Sequence, residues 1–172
     1  MRECEDFQLF KIQKFKDKRG LFYENFNYKN FKYIIKQSNI SVSKKNVLRG
    51  IHYQVKKPIG YIVTVIEGSI FEVIIDLRKN SKNFLKTYSF NFDQHSKKNL
   101  YIPPGFGHAF LCLSNYCILN YLCSDTYKKE NERGLNSFDK NLNIDWPKKN
   151  YIINYRDKCF PLYKDIPKKD LP

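Results

Sequence analysis

The chain has 172 residues, 42% of them apolar and 16% aromatic, which suits one domain with a sizeable core and excludes a largely disordered chain. No apolar run reaches the roughly 18 residues of a membrane span, and the acidic start MRECEDFQLF is unlike a signal peptide, so a cytoplasmic protein is expected. A formal net charge of +14 asks for an anionic partner; the lysines are scattered and no nucleic-acid reading motif is present, so a phosphorylated small molecule is expected rather than nucleic acid.

In chain order, the first predicted element is a helix near residues 28–36, where KNFKYIIKQ carries apolar residues at i, i+3 and i+4. Short strands follow: NVLRGIHYQ, YIVTVIEG, SIFEVIIDLR, TYSFNF, NLYIPPG, HAFLCLS and CILNYLCS. Turn residues separate them at Gly68, at Lys79-Asn80-Ser81 and at Pro103-Pro104-Gly105. Apolar residues alternate in SIFEVIID, the period of a strand with one buried face. Closely spaced short strands predict an all-β sandwich or barrel behind an N-terminal excursion.

The five cysteines (Cys4, Cys112, Cys117, Cys123 and Cys159) form no CxxC, and three lie in apolar runs, so neither a disulfide framework nor a zinc site is expected. Of the three histidines, His95 sits in the polar turn DQHSKK and is expected in solvent. His52 lies on a strand in LRGIHYQ, and His108 follows the tight turn PPGFG. An isolated strand histidine is usually a hydrogen-bonded core residue; the company these two keep decides otherwise.

LRGIHYQ, EGSIFEVIIDLRKNS, YIPPGFGHAFLCLS, ENERG and NIDWP follow one another in this order at close spacing. The set resembles the dTDP-4-dehydrorhamnose 3,5-epimerase family, and the likeness runs from DKRGLFYEN at 17–25 to YRDKCFP at 155–161. The resemblance implies one cupin domain over residues 1–172: an all-β double-stranded β-helix, or jelly-roll barrel, with an N-terminal extension and short helices. It also implies a nucleotide-diphosphate sugar as substrate, a homodimer that exchanges N-terminal strands, and no metal or organic cofactor.

Carried over by position, His52 matches the family's catalytic base, Asp157 the carboxylate that orients it, and Tyr121 the tyrosine facing it across the sugar ring. Arg49 and His108 match residues that hold the substrate's polar groups. Arg19 and Glu24 match an N-terminal segment that binds nucleotide across the dimer interface. Gln37, Asn39 and Glu132 match further binding positions. The chemistry fits these residue types: a hydrogen beside a ketone can be removed once the enolate oxygen is stabilised, and a neutral imidazole suits that abstraction near pH 7. A carboxylate on its other nitrogen fixes the tautomer, and inversion needs a proton from the opposite ring face. The HxH pairing of metal-dependent cupins is absent, because Gln54 follows Tyr53.

The chain departs from the family pattern at four places. Tyr61 stands at the lysine position and joins the binding set as a neutral donor; Thr64 replaces an arginine three residues on. Thr126 and Tyr127 take the place of paired aromatics, and Ser137, followed by Phe138, that of a tryptophan. The expected activity is epimerisation at C3, with C5 as second carbon, of a 4-keto-6-deoxy sugar. These residues leave open the nucleotide, and whether one carbon reacts or two. A C3 epimerase of a GDP-linked 4-keto-heptose, a 3,4-ketoisomerase and a non-catalytic sugar-nucleotide-binding cupin stay as alternatives.

Overall fold

The computed structural model describes residues 6–30, 34–147 and 149–172. The chain runs through β1 (Gln8–Lys11), β2 (Lys14–Asp17), β3 (Gly20–Tyr23), β4 (Gln37–Lys44), β5 (Leu48–Gln54) and β6 (Tyr61–Glu67). It continues through β7 (Ser69–Asp76), β8 (Thr87–Asp93), β9 (Lys98–Ile102), β10 (Phe106–Cys112), β11 (Tyr116–Cys123) and β12 (Glu132–Gly134). The strands β1-β9-β6-β11-β4 form one five-stranded sheet, β12-β5-β10-β7-β8 a second, and β2 and β3 a separate hairpin. Sheet neighbours far apart in sequence, all antiparallel, give the expected jelly roll.

Every strand expected from β5 to β11 is present, its ends within three residues of those expected. The helix expected near 28–36 is not realised in the described part. Tyr28–Asn30 make a single 3₁₀ turn, residues 31–33 lie outside the described residues, and Gln37 is already extended in β4. The apolar spacing there serves a different purpose, since Ile35 packs with Phe10, Phe26 and Leu122 over Ile62 and Tyr101 on the outside of the first sheet.

One core lies between the sheets, built by Val63, Val65, Ile70, Ile74, Leu100, Phe106, Phe110 and Leu119. A second lies outside the other sheet, where Leu135, Leu142 and Trp146 cover Ile51, Tyr53, Phe71, Val73 and Ala109. The alternation in SIFEVIID therefore does not mark a strand with one buried face. From Ile70 to Asp76 every residue of β7 is buried, because the C-terminal segment covers its outer side. The inner face of the same strand, in phase with Ile70 and Ile74, carries two carboxylates, Glu72 and Asp76, into the interior at 0% exposure. Asp76 is satisfied by the Arg78 guanidinium at 2.6 Å and the Ser81 hydroxyl at 2.6 Å. No helix of the described residues is long and apolar enough to cross a membrane.

Candidate active site

The cavity wall starts from an irregularity in β5. Arg49 pairs with Phe110 on β10 and His52 pairs with His108, so three residues of one strand span two of the other. That extra residue is a β-bulge. Gly50 carries it at φ +110°, where a Cβ would stand 2.6 Å from the His108 carbonyl oxygen. In a regular strand, residues three apart face opposite sides; the bulge turns both Arg49 and His52 toward the space between the sheets. The LRGxH spacing thus has a direct geometric meaning.

His52 is partly open, its side chain 26% exposed, and its Nε2 lies 3.0 Å from Asp157 Oδ1. Asp157 is buried in the short helix α1 (Tyr155–Lys158), capped by the Asn154 side chain on the Asp157 N–H at 2.7 Å. Its other oxygen accepts the Gly50 N–H at 3.0 Å, tying the bulge to the carboxylate. Phe160 meets the imidazole edge-on at 5.5 Å and fits only because position 134 is glycine: a Cβ there would lie 2.2 Å from the Phe160 ring. On the Nδ1 side, Glu132 Oε1 is 3.9 Å away, while its Oε2 accepts from Arg156 at 2.5 Å and from the Tyr127 hydroxyl at 2.8 Å.

Burial alone would push the Asp157 carboxyl up, yet the bonds from His52 and the Gly50 N–H, with the nearby Arg156 charge, hold it below the usual range. A carboxyl depressed in the folded state stabilises the fold above its unfolded pKa, about 3.9 for aspartate, and loses that contribution as pH falls through the folded value. Asp76 is depressed in the same direction, its burial outweighed by bonds from Arg78 and Ser81. The unfolding free energy in urea is therefore expected to fall as pH drops below about 4, and Asp157→Asn is expected to shrink that fall. An acid limb unchanged in this variant would contradict the assignment.

Beside His52, His108 makes a 2.9 Å bond from Nδ1 to Glu72, and the Tyr61 ring tilts against its imidazole at 4.8 Å. Tyr121 is next, its ring 6.1 Å from that of His108. Tyr61 and Tyr121 belong to the opposite sheet, on β6 and β11. They form the wall across from the two histidines. The Tyr121 hydroxyl is 2.9 Å from the Ser41 hydroxyl on β4. Burial pushes both phenols well above the usual tyrosine range; for Tyr121 the Ser41 bond and the Arg49 charge work against that rise. Both phenols are protonated at neutral pH. Gln37 and Asn39 share the cavity side of β4, because they pair with Cys123 and Tyr121, and they bond to each other at 2.9 Å. Arg49 closes one end, its Nε donating to the Ser43 hydroxyl at 2.9 Å.

The structure thus brings together His52, Asp157, Tyr121, Arg49, Tyr61, His108, Gln37, Asn39 and Glu132. Arg19 and Glu24 are elsewhere: Arg19 is 85% exposed and bonded to Asp17, and Glu24 accepts from Asn27. His95 is exposed in the turn after β8. Thr64 stands apart from the site. It faces the outside of β6, donating to Asn25 Oδ1 at 2.8 Å, so its replacement of an arginine leaves the cavity face of this chain unchanged. Ser137 is also internal; its hydroxyl braces the Gly50 carbonyl at 2.6 Å. Phe138 stays half exposed against Tyr151. Three contributors escaped the sequence reading: Glu72, Ser41 and Arg156. Glu72 had a signal, since a carboxylate in phase with Ile70 and Ile74 must be buried and must find a partner.

A jelly-roll barrel with two carboxylate-backed imidazoles on one sheet and two buried phenols on the facing sheet defines a cupin-type protein. The sequence profile of dTDP-4-dehydrorhamnose 3,5-epimerase matches residues 2–165. A relative of that name from Methanothermobacter thermautotrophicus is 38% identical over 159 residues, covering 88% of this chain and 86% of its own. The crystal structure of dTDP-6-deoxy-D-glucose-3,5-epimerase from Legionella pneumophila, in complex with dTDP-4-keto-L-rhamnose, superposes with a TM-score of 0.94 at 31% identity, covering 99% of this chain and 95% of its own. A 3'-monoepimerase from Streptomyces bikiniensis in complex with dTDP-quinovose gives 0.85 at 29% identity, covering 92% and 84%. The chain belongs to the dTDP-4-dehydrorhamnose 3,5-epimerase family and is an isomerase.

Proposed function

We propose that this enzyme epimerises C3 and C5 of a dTDP-linked 4-keto-6-deoxy sugar, with His52 as base and Tyr121 as acid. The observation that carries this reading is the opposition of the two groups. A partly open imidazole backed by Asp157 lies on one wall, and a protonated phenol lies on the other. His52 takes the proton beside the ketone, Asp157 stabilises the imidazolium formed, and Tyr121 returns a proton from the far face. The free ring nitrogen is Nδ1, since Nε2 is engaged by Asp157. Arg49, Tyr61, His108, Gln37, Asn39 and Glu132 line the cavity for substrate contact. Incubation with dTDP-4-keto-6-deoxyglucose in deuterated water tests the reading: deuterium is expected at both C3 and C5. Label at C3 alone would make it a monoepimerase, and no label at all would sink the enzymatic reading.

The same reading includes a homodimer. A lone two-stranded hairpin is marginal in water, yet β2–β3 projects with Phe15, Leu21 and Phe22 at 52%, 54% and 70% exposure. Ile40 and Val42 on the outer face of β4 are also bare, at 71% and 62%. A partner subunit covers such surfaces, and a hairpin reaching across would deliver Arg19 and Glu24 to the partner's nucleotide. An arginine–phosphate bond contributes about 1.5–3 kcal/mol. Arg19→Ala is therefore expected to raise KM roughly 10–100-fold with kcat little changed. A fully active monomer by light scattering would refute the exchange.

A further inference from the structure

Glu72 is a fully buried carboxylate with one bonded oxygen. Its Oε1 lies 2.9 Å from His108 Nδ1, while Oε2 has no hydrogen-bond partner among the described residues. The pair lies wholly on the second sheet, Glu72 on β7 and His108 on the adjacent β10. His108 makes no further hydrogen bond among the described residues, so its other ring nitrogen, Nε2, is left for the space between the sheets. Against it stands Tyr61, a neutral phenol, its ring 4.8 Å from the imidazole.

We propose that Glu72 is a positioning residue: it and His108 form one uncharged pair that keeps a proton on His108 Nε2, making that N–H the donor to the substrate's ketone oxygen.

The argument is one of charge and valence. The pair has four arrangements, one of which, a carboxylic acid with its O–H on Oε2 and its carbonyl accepting Nδ1–H, is disfavoured because that buried O–H meets no acceptor among the described residues. With the carboxylate ionised and the imidazole neutral, Nδ1 carries the hydrogen, Nε2 is a bare acceptor, and the pair is net negative. With one more proton, held either as carboxylic acid donating to Nδ1 or as imidazolium beside carboxylate, the pair is neutral and Nε2–H is a donor in both forms. Burying an uncompensated charge is costly. The solitary Oε2 sharpens the choice, because an anionic oxygen without a partner loses far more solvation than a carbonyl oxygen does. Burial raises the Glu72 pKa, with the His108 bond opposing only in part, in keeping with the proton being retained. A donor fixed in this way suits an oxygen that gains negative charge as the enolate forms. It supplies at position 108 what an uncharged Tyr61 does not supply by charge.

The inference rests on the epimerase reading for the donor's target, but its protonation claim is tested without turnover. Nitrogen-15 NMR of the wild-type protein at pH 7 is expected to show Nε2 of His108 protonated. An Nδ1–H tautomer with a bare Nε2 would overturn the proposal even if epimerisation is normal. Activity gives the second arm. Glu72→Gln offers an amide N–H to Nδ1 and so preserves the Nε2 donor; kcat is expected within tenfold of wild type. Glu72→Leu leaves Nδ1 unclaimed, and kcat is expected to fall roughly 10²–10³-fold, the usual loss for a missing oxyanion donor. Equal losses in the two variants, or a fully active Glu72→Leu, would overturn it. A wild-type protein with the expected tautomer and no epimerisation would instead count against the function.

Discussion

Replacing His52 by asparagine is expected to lower kcat, and with it proton exchange at C3 and C5, roughly 10²–10⁴-fold, the contribution typical of a positioned base. At 1.36 kcal/mol per tenfold, this is about 3–5.5 kcal/mol of barrier. Asparagine is the informative choice because its amide can still donate to Asp157 Oδ1, which lies 3.0 Å from the imidazole. The buried carboxylate keeps a partner and the Gly50 bulge keeps its tether. Loss of activity in a variant with wild-type unfolding behaviour then isolates the proton transfer from the architecture. Asp157→Asn should do less harm than His52→Asn, since it removes the orientation and charge behind the base and not the base itself. Solvent exchange in His52→Asn within tenfold of wild type would remove this residue from the mechanism.

How far the sequence reaches is clearest around this residue. Strands β5 to β11 are legible because short alternating runs sit between Gly, Pro and Asn turns. The families of residues around His52, His108 and Tyr121 are legible through their motifs. What motifs do not convey is direction. Thr64 and Tyr61 are three apart on a regular strand, so one faces out to Asn25 and the other in to His108. Arg49 and His52 are also three apart, yet both face in, because Gly50 inserts a bulge. Parity along a strand settles the first case; only the register with β10 settles the second.

The misread stretches share a cause. KNFKYIIKQ has helical spacing, but a local apolar period says only that one face is covered, and Ile35 finds its cover against Ile62 and Tyr101 outside any regular element. In β4, Ile40 and Val42 point away from the barrel at 71% and 62% exposure, so the strand lacks the buried alternation that would announce it. The hairpin β2–β3 fails for the same reason: its apolar residues stand largely exposed, Phe15 meeting only Phe22 of the same hairpin among the aromatic rings described. Apolar residues that stand exposed on the single chain are the places where its pattern misleads.

Tyr121→Phe is expected to separate two events that wild-type turnover fuses. The substitution deletes the hydroxyl that lies 2.9 Å from Ser41 and leaves the ring packed against His108 and Phe110. His52 and Asp157 are untouched, so abstraction and return on the same face continue. Deuterium should still enter at C3 from deuterated water, while inversion falls roughly 10²–10⁴-fold for want of an acid on the opposite face. The measurement is the ratio of label incorporated to epimer formed, followed by NMR of the sugar. The phenol suits this task because burial keeps it protonated well beyond neutral pH, and because an enolate carbon is basic enough to take a proton from so weak an acid. Ser41→Ala serves as the control: it removes the partner hydroxyl and should slow inversion far less than loss of the phenol does. If exchange and inversion fall together in Tyr121→Phe, the tyrosine stabilises the enolate instead of delivering the proton, and the acid lies elsewhere on that wall, with Tyr61 next in line.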